Sequence, residues 1–261
     1  MIVEFVGCTG AGKTTLAREL CAHAPFPGGS VIGSDIVLGR PPFRKVTNPT
    51  AANLIQDVAG LPYFMGAWRR DRPFFKLSGD LLGEHAPSTF DKLMNTRSVM
   101  RRVGMFELAR HRARGRTVLI DEGPVLIGYH LFVYSTAEPS GPDFDRFAAL
   151  VPLPDRIVYV KADVPTLVAR AQARPDPRRQ LARLPQESVV ASIERAADVF
   201  DRLTAAPRLR DRVLVVDNTS SDLRTRRHLA ASLAELLTDA AWSRLRCMPI
   251  KVPDVPRAAA P

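Results

Sequence analysis

Nine residues near the start of the chain, Gly7-Cys8-Thr9-Gly10-Ala11-Gly12-Lys13-Thr14-Thr15, restrict its fold more than any other stretch. They complete the spacing Gly-x-x-x-x-Gly-Lys-Ser/Thr, in which backbone N–H groups wrap around phosphate oxygens. The apolar run from Ile2 to Val6 reads as a buried strand, and Leu16, Ala17, Arg18, Glu19 and Leu20 read as the start of a helix. Gly7, Gly10 and Gly12 lack a Cβ, so the turn between them can take left-handed dihedrals. The helix then sets its N-terminal partial charge beneath the phosphates. Lys13 is expected to reach the β and γ phosphates and Thr14 to ligate Mg²⁺, with Thr9, Ala11 and Thr15 completing the cradle. The segment therefore predicts a nucleoside-triphosphate site, with ATP and Mg²⁺ as cofactors.

With 261 residues, 46% of them apolar, the chain can bury a sizeable core. It reads as one domain over residues 1–248, followed by a disordered tail at 249–261 that holds three prolines and an alanine-rich end. The run at 2–6 is too short for a secretory signal, and no run approaches the roughly 18 residues a membrane helix needs. A cytoplasmic protein without a membrane partner is expected. Cys8, Cys21 and Cys247 have no metal-ligand spacing, and an odd number argues against a disulfide framework. The net charge of +10 suits an anionic ligand. No basic run is interleaved with aromatics, which argues against a nucleic-acid partner.

Four further apolar segments read as strands, at residues 30–33, 117–120, 156–160 and 213–216, and helical patterns alternate with them as a parallel α/β sheet requires. Asp35, Asp121, Asp163 and Asp217-Asn218 follow these strands and would share the carboxyl rim with the phosphate loop. Helical patterning appears at 50–59, 76–84, 88–113, 124–136, 164–174, 186–204 and 221–246. Residues 39–115 are too long for a simple crossover and are punctuated by Pro41, Pro42, Pro49, Pro62, Pro73 and Pro87. They read as a helical cap over an acceptor substrate.

Three groups of residues would carry chemistry. Thr117 to Gly123 delivers two adjacent carboxylates, of which Asp121 would hold Mg²⁺ through a bound water, while Glu122 would orient a water, act as base or bind the metal instead. Asp35 could accept the proton of an attacking hydroxyl, with Arg40, Arg44 or Lys45 holding an anionic part of the acceptor, or it could only cap a turn. Arg170, Arg174, Arg178, Arg179 and Arg183 crowd a helix end broken by Pro175 and Pro177. A lid over residues 170–185 is expected from this, with Arg174 and Arg178 adding positive charge at the transferring group.

The order of phosphate loop, acid after the second strand, acidic third strand, arginine lid and Asp217-Asn218-Thr219 resembles the P-loop nucleoside and nucleotide kinases, especially the thymidylate-kinase-like and deoxynucleoside-kinase-like proteins. The resemblance spans residues 1–238 and implies a three-layer α/β fold with a five-stranded parallel sheet in order 2-3-1-4-5. It also implies that Asn218, Thr219 and a lid arginine, with Arg170 at the lid's start, flank the adenine. Those families place an Arg directly after the acidic residue of the third strand, where this chain has Glu122. Kinases of other small metabolites or of antibiotics share the frame with an Asp after the second strand, so Gly33-Ser34-Asp35 points toward them as well. The resulting expectation is an ATP-dependent kinase acting on a hydroxyl or phosphate of a small acceptor. A regulatory P-loop NTPase that hydrolyses ATP without an acceptor is the alternative, and a homodimer is left open.

Overall fold

The computed structural model describes residues 1–24, 26–86, 88–133, 140–173, 186–219, 223–237 and 242. The order of elements is β1 (Ile2–Val6), α1 (Lys13–His23), β2 (Ser30–Ile32), α2 (Asp35–Leu38), a 3₁₀ turn (Phe43–Lys45), α3 (Pro49–Trp68), α4 (Arg72–His85), α5 (Thr89–Arg112) and β3 (Thr117–Ile120). There follow α6 (Ile127–Phe132), α7 (Gly141–Leu150), β4 (Arg156–Lys161), α8 (Val164–Gln172), α9 (Gln186–Ala205), α10 (Pro207–Arg210), β5 (Val213–Asp217) and α11 (Leu223–Leu236).

The five strands form one sheet in the order β2-β3-β1-β4-β5, and every pairing is parallel. Parallel strands need crossovers, and helices fill them. Because β1 is central, alternate side chains enter two cores. Val3 and Phe5 join the larger cluster with Leu16, Leu20 and Leu119. Ile2 joins a smaller one with Val118, Ile120 and Phe106 of α5. Glu4 is on the same side of the strand as Ile2 by this alternation.

The cap region is helical, but its boundaries differ from the sequence expectation. Asn48 caps α3 by accepting from the N–H groups of Thr50 and Ala51, with Pro49 in the first turn. The helix then runs through Pro62 to Trp68 instead of stopping near residue 59. Pro62 leaves the carbonyl of Val58 without its usual donor, and Val58 is on an exposed face where water can replace it. Pro73 likewise opens α4 from its first turn. α3 and α5 cross at backbone contact, since a Cβ on Gly104 would stand 2.5 Å from the carbonyl oxygen of Gly60.

The helix expected at 124–136 is shorter, Ile127–Phe132, and a further helix, α7, follows it where none is expected. Its start signal is nonetheless present: Ser140 Oγ accepts from the N–H of Asp143, with Pro142 in the first turn. The final helix is described over Leu223–Leu236. The tail at 249–261 lies outside the described residues, as does the expected lid from Arg174 to Pro185. Among the described residues no helix is long and apolar enough to cross a membrane.

Candidate active site

β1 ends at Val6, and the chain turns at once through Gly7, whose φ of 138° suits glycine. A Cβ there would collide with the carbonyl oxygen of Val160 on the neighbouring β4. Gly12, with φ of 87°, precedes α1 and faces the side-chain amide of Asn218 with no room for a Cβ. Between them the Ala11 N–H donates to the Cys8 carbonyl at 3.2 Å. Lys13 is nearly buried, and its Nζ donates to the carbonyls of Gly7 at 2.7 Å and Cys8 at 2.8 Å. Its ammonium is thus pinned to the cradle at the head of α1. The Thr9 hydroxyl is buried in the same loop and has no hydrogen-bond partner among the described residues. A buried free donor beside an ammonium and a helix N-terminus fits an anion. Cys8 is a packing residue: burial pushes its thiol up to about 11, so little thiolate exists at neutral pH.

β3 lies beside β1 and delivers Asp121 and Glu122 to the rim. Thr14 Oγ1 donates to Asp121 Oδ2 at 2.8 Å, joining two elements 107 residues apart. A hydroxyl and a carboxylate meeting at the mouth of a phosphate cradle are the hard oxygen donors Mg²⁺ takes. Among the described residues no group of three or more His, Cys, Asp or Glu side chains could hold a metal. Mg²⁺ needs no such cage, since it keeps several waters and binds through one or two carboxylates plus phosphates.

Glu122 is half exposed and is held by two arginines of α5, Arg102 at 3.2 Å and Arg101 at 3.9 Å. Arg102 is buried and also donates to Ser98. Arg101 reaches Asp57 of α3 at 3.7 Å, and Asp57 also pairs with Arg97. An arginine thus meets the acidic site from the cap rather than from the residue after Asp121.

A cleft of about 200 Å³ opens beside these carboxylates. Its walls are Gly33, Ser34, Asn53, Gln56, Met105, Ile120, Asp121 and Glu122. Asp35 is not among them: it begins α2, is exposed, and accepts from Ser34 Oγ at 3.4 Å. Arg40 and Arg44 are exposed and likewise do not line the cleft. Lys13, Thr14, Asp121 and Glu122 therefore come together, whereas Asp35, Arg40 and Arg44 stand apart. Asn53, Gln56 and Met105 were not foreseen.

On the opposite flank, Asn218 is buried and its side-chain amide donates to the Ala11 carbonyl at 2.8 Å. Arg170 donates to the carbonyls of Asn218 at 2.8 Å and Thr219 at 3.0 Å, which clamps that loop against α8. Gly10 sits under the same helix, 2.8 Å from the Leu167 carbonyl oxygen to a would-be Cβ. Asp163 caps α8 by accepting from the Thr166 N–H at 2.8 Å, and hydrogen bonding from Thr166, by its side chain first and its N–H second, holds the Asp163 pKa below the usual carboxylate value. Asp217 accepts from the N–H and hydroxyl of Thr219. Thr15 is exposed at the start of α1. Arg174 and Arg178 lie outside the described residues.

Beneath the site, Glu4 is fully buried and accepts from the N–H groups of Val125 at 3.2 Å and Leu126 at 2.9 Å. Gly123 gives it room, because any Cβ there would strike the carboxylate. Burial pushes the Glu4 pKa up to about 7, against the pull of the two N–H groups and of Arg102. An acid whose native pKa lies above its unfolded value binds more protons when folded. Stability is therefore expected to fall as pH rises from about 4.5 to about 7 and to be independent of this group above that range. The loss is at most about 3 kcal/mol. Melting temperatures between pH 4 and 8 should show that Glu4→Gln flattens the dependence relative to wild type; identical slopes would contradict the assignment.

A family model described as an AAA domain matches residues 2–203, from β1 into the last turn of α9. The chain belongs to this AAA-domain family. No curated protein matches the sequence of this AAA-domain chain significantly. Among solved structures it is similar to deoxyadenosine kinase from M. mycoides with the products dCMP and a flexible dCDP bound, at 15% identity over 90% of this chain and 98% of that one, with a TM-score of 0.50. A second structure of deoxyadenosine kinase from M. mycoides, with bound dATP, is 17% identical over 91% and 100% of the chains, with a TM-score of 0.49. At such identity the likeness concerns the fold: a P-loop kinase α/β fold with sheet order 2-3-1-4-5.

Proposed function

We propose that this AAA-domain chain is an ATP-dependent phosphotransferase that moves the γ-phosphoryl group to a hydroxyl or phosphate of a small acceptor, a nucleoside, nucleotide or other metabolite. The observation that carries this reading is the cleft beside Asp121, because the carboxylate bonded to Thr14 of the phosphate loop is also a wall of that cleft. An acceptor there would be next to the transferring group, and phosphoryl transfer relies chiefly on such positioning and on charge. A hydrolase that only changes shape needs no pocket at this place.

In this reading the backbone from Gly7 to Thr15 cradles the phosphates and Lys13 neutralises them. Thr14 and Asp121 hold Mg²⁺, which when bound would offset charge on the phosphate oxygens. Asn218 and Thr219, clamped by Arg170, flank the adenine. Arg174 and Arg178 close over the transferring group as a lid, and Arg40 and Arg44 meet acceptor groups that project from the cleft. Glu122 is the base for the acceptor proton, since it lines the cleft and Asp35 does not. Two guanidinium groups fix its carboxylate in place.

Substitution separates the two acids. Glu122→Gln keeps size but removes basicity, and is expected to slow transfer by about 10²-fold with ATP affinity little changed. Asp35→Asn should remain within about threefold of wild type. The reverse pattern in single-turnover assays would assign the base to Asp35.

A further inference from the structure

Glu4 is a fully buried carboxyl in β1, the central strand of the sheet. An apolar side chain at this position would join Ile2, Ile120 and Phe106 in the smaller core. The carboxyl instead ties the sheet to its rim, because its oxygens accept from Val125 and Leu126 in the turn that follows Glu122. Gly123, next to Glu122 in the chain, must lack a Cβ for that carboxyl to keep its place. The neighbouring strands set Ile120 and Ile157 beside Glu4, and the turn offers it Gly123, Val125 and Leu126. The charged group that acts on it is Arg102 of α5, which is itself buried and reaches Glu122 at 3.2 Å. One guanidinium therefore serves two carboxyls, one in the core and one at the cleft.

We infer that Glu4 is a positioning residue for Glu122, fixing the turn behind it and sharing Arg102 with it, an assignment that rests on Glu122 being the base of the proposed transfer. An ionised Glu4 is an acceptor at both oxygens, as the two N–H groups require. Protonation turns one oxygen into a donor and leaves the guanidinium charge to Glu122 alone. Ionisation of Glu4 thus holds the turn more firmly. By adding a like charge beyond the shared cation, it also makes the Glu122 carboxylate a stronger base for the proton of the attacking hydroxyl. Burial pushes the Glu4 pKa up to about 7, so this change falls in the neutral range. A carboxyl that only capped the turn would satisfy the same N–H groups without altering any property of Glu122.

Two measurements on the full chain read this coupling, and neither needs a known acceptor. In protein labelled with ¹³C, the Glu4 carboxyl is assigned through its bonds to Val3 and Phe5 and titrated by NMR from pH 5 to 9. Its midpoint is expected near 7 in wild type. In Glu122→Gln it should be lower by about half a pH unit or more, because Arg102 then serves Glu4 alone. The second measurement is ADP release from saturating Mg-ATP with water as the acceptor. It should rise about threefold or more between pH 6 and 8 in wild type and stay flat in Glu4→Gln, with the KM for Mg-ATP unchanged. Should Glu4→Gln not fold, the NMR titration decides by itself, since it uses only wild type and Glu122→Gln. A Glu4 midpoint that is the same in both proteins overturns the inference, as does a flat wild-type rate or a Glu4→Gln variant that keeps the wild-type rise. Glu122→Gln releasing ADP at the wild-type rate throughout would instead remove the base assignment, and the role of Glu4 with it.

Discussion

Lys13→Ala should lower phosphoryl transfer by about 10³-fold, the upper range for losing one preorganised donor to developing charge. The ammonium is held by the Gly7 and Cys8 carbonyls at 2.7 and 2.8 Å, so its position is set by the loop before any nucleotide is engaged. Such preorganisation is what makes the loss fall on rate, because a free surface lysine would first have to be ordered. Removing it also deletes two charge-assisted hydrogen bonds, and a stability loss of about 1–3 kcal/mol is expected alongside. The fold should survive, since the loop's path is set by its glycines and by the packing of β1 between β3 and β4. Turnover near the wild-type value, measured as ADP release from Mg-ATP with acceptor, would exclude the loop as the site of transfer.

Gly7→Ala is expected to be the most damaging single-methyl change, costing more than about 3 kcal/mol and abolishing nucleotide binding. Two penalties coincide: φ of 138° disfavours any L side chain, and the added Cβ would overlap the Val160 carbonyl oxygen. That carbonyl cannot retreat, because β4 is fixed between β1 and β5 through the pairs Val6–Tyr159 and Val160–Val216. Gly29→Ala is the matched control. Gly29 also has positive φ, 80°, but nothing lies within 4 Å of its would-be Cβ, so only the backbone cost of about 1 kcal/mol should appear. Thermal melting of the two variants separates collision from conformation, and equal losses would show that the close approach to β4 is relieved in solution.

The elements readable from the sequence were those whose signals are local. Ile2–Val6, the glycine spacing and Lys13-Thr14 are contiguous, and the five strands stand out as short apolar runs between helical patterns. α7 escapes a periodicity reading because it is only 10 residues long, although Ser140, Pro142 and Asp143 mark its start and Phe144, Phe147 and Ala148 form its buried face. Pro62 and Pro73 misled in a different way: proline forbids a hydrogen bond only where a donor is needed, and neither an exposed turn nor a first turn needs one. Within the site, Thr14 and Asp121 were legible as motif residues. The proposed preference for Glu122 over Asp35 has no local signal, since it rests on which of the two carboxylates lines the cleft. Asn53, Gln56 and Met105 reach the cleft from α3 and α5, and no local pattern announces which face of a long helix meets a sheet rim. Glu4 does carry a local signal, as a single acid inside a five-residue strand that is otherwise apolar.

Transfer to an acceptor distinguishes the proposed kinase from an NTPase that only hydrolyses, and one measurement reads it. Mg-ATP is incubated with the protein and separate pools of nucleosides, nucleotides, sugars and antibiotics, and ADP release is followed together with phosphorylated product. The proposed kinase should release ADP in dependence on one pool, matched by an equal amount of phosphorylated acceptor and lost in Lys13→Ala. ADP release at the same rate with and without every pool, yielding only inorganic phosphate, would contradict it.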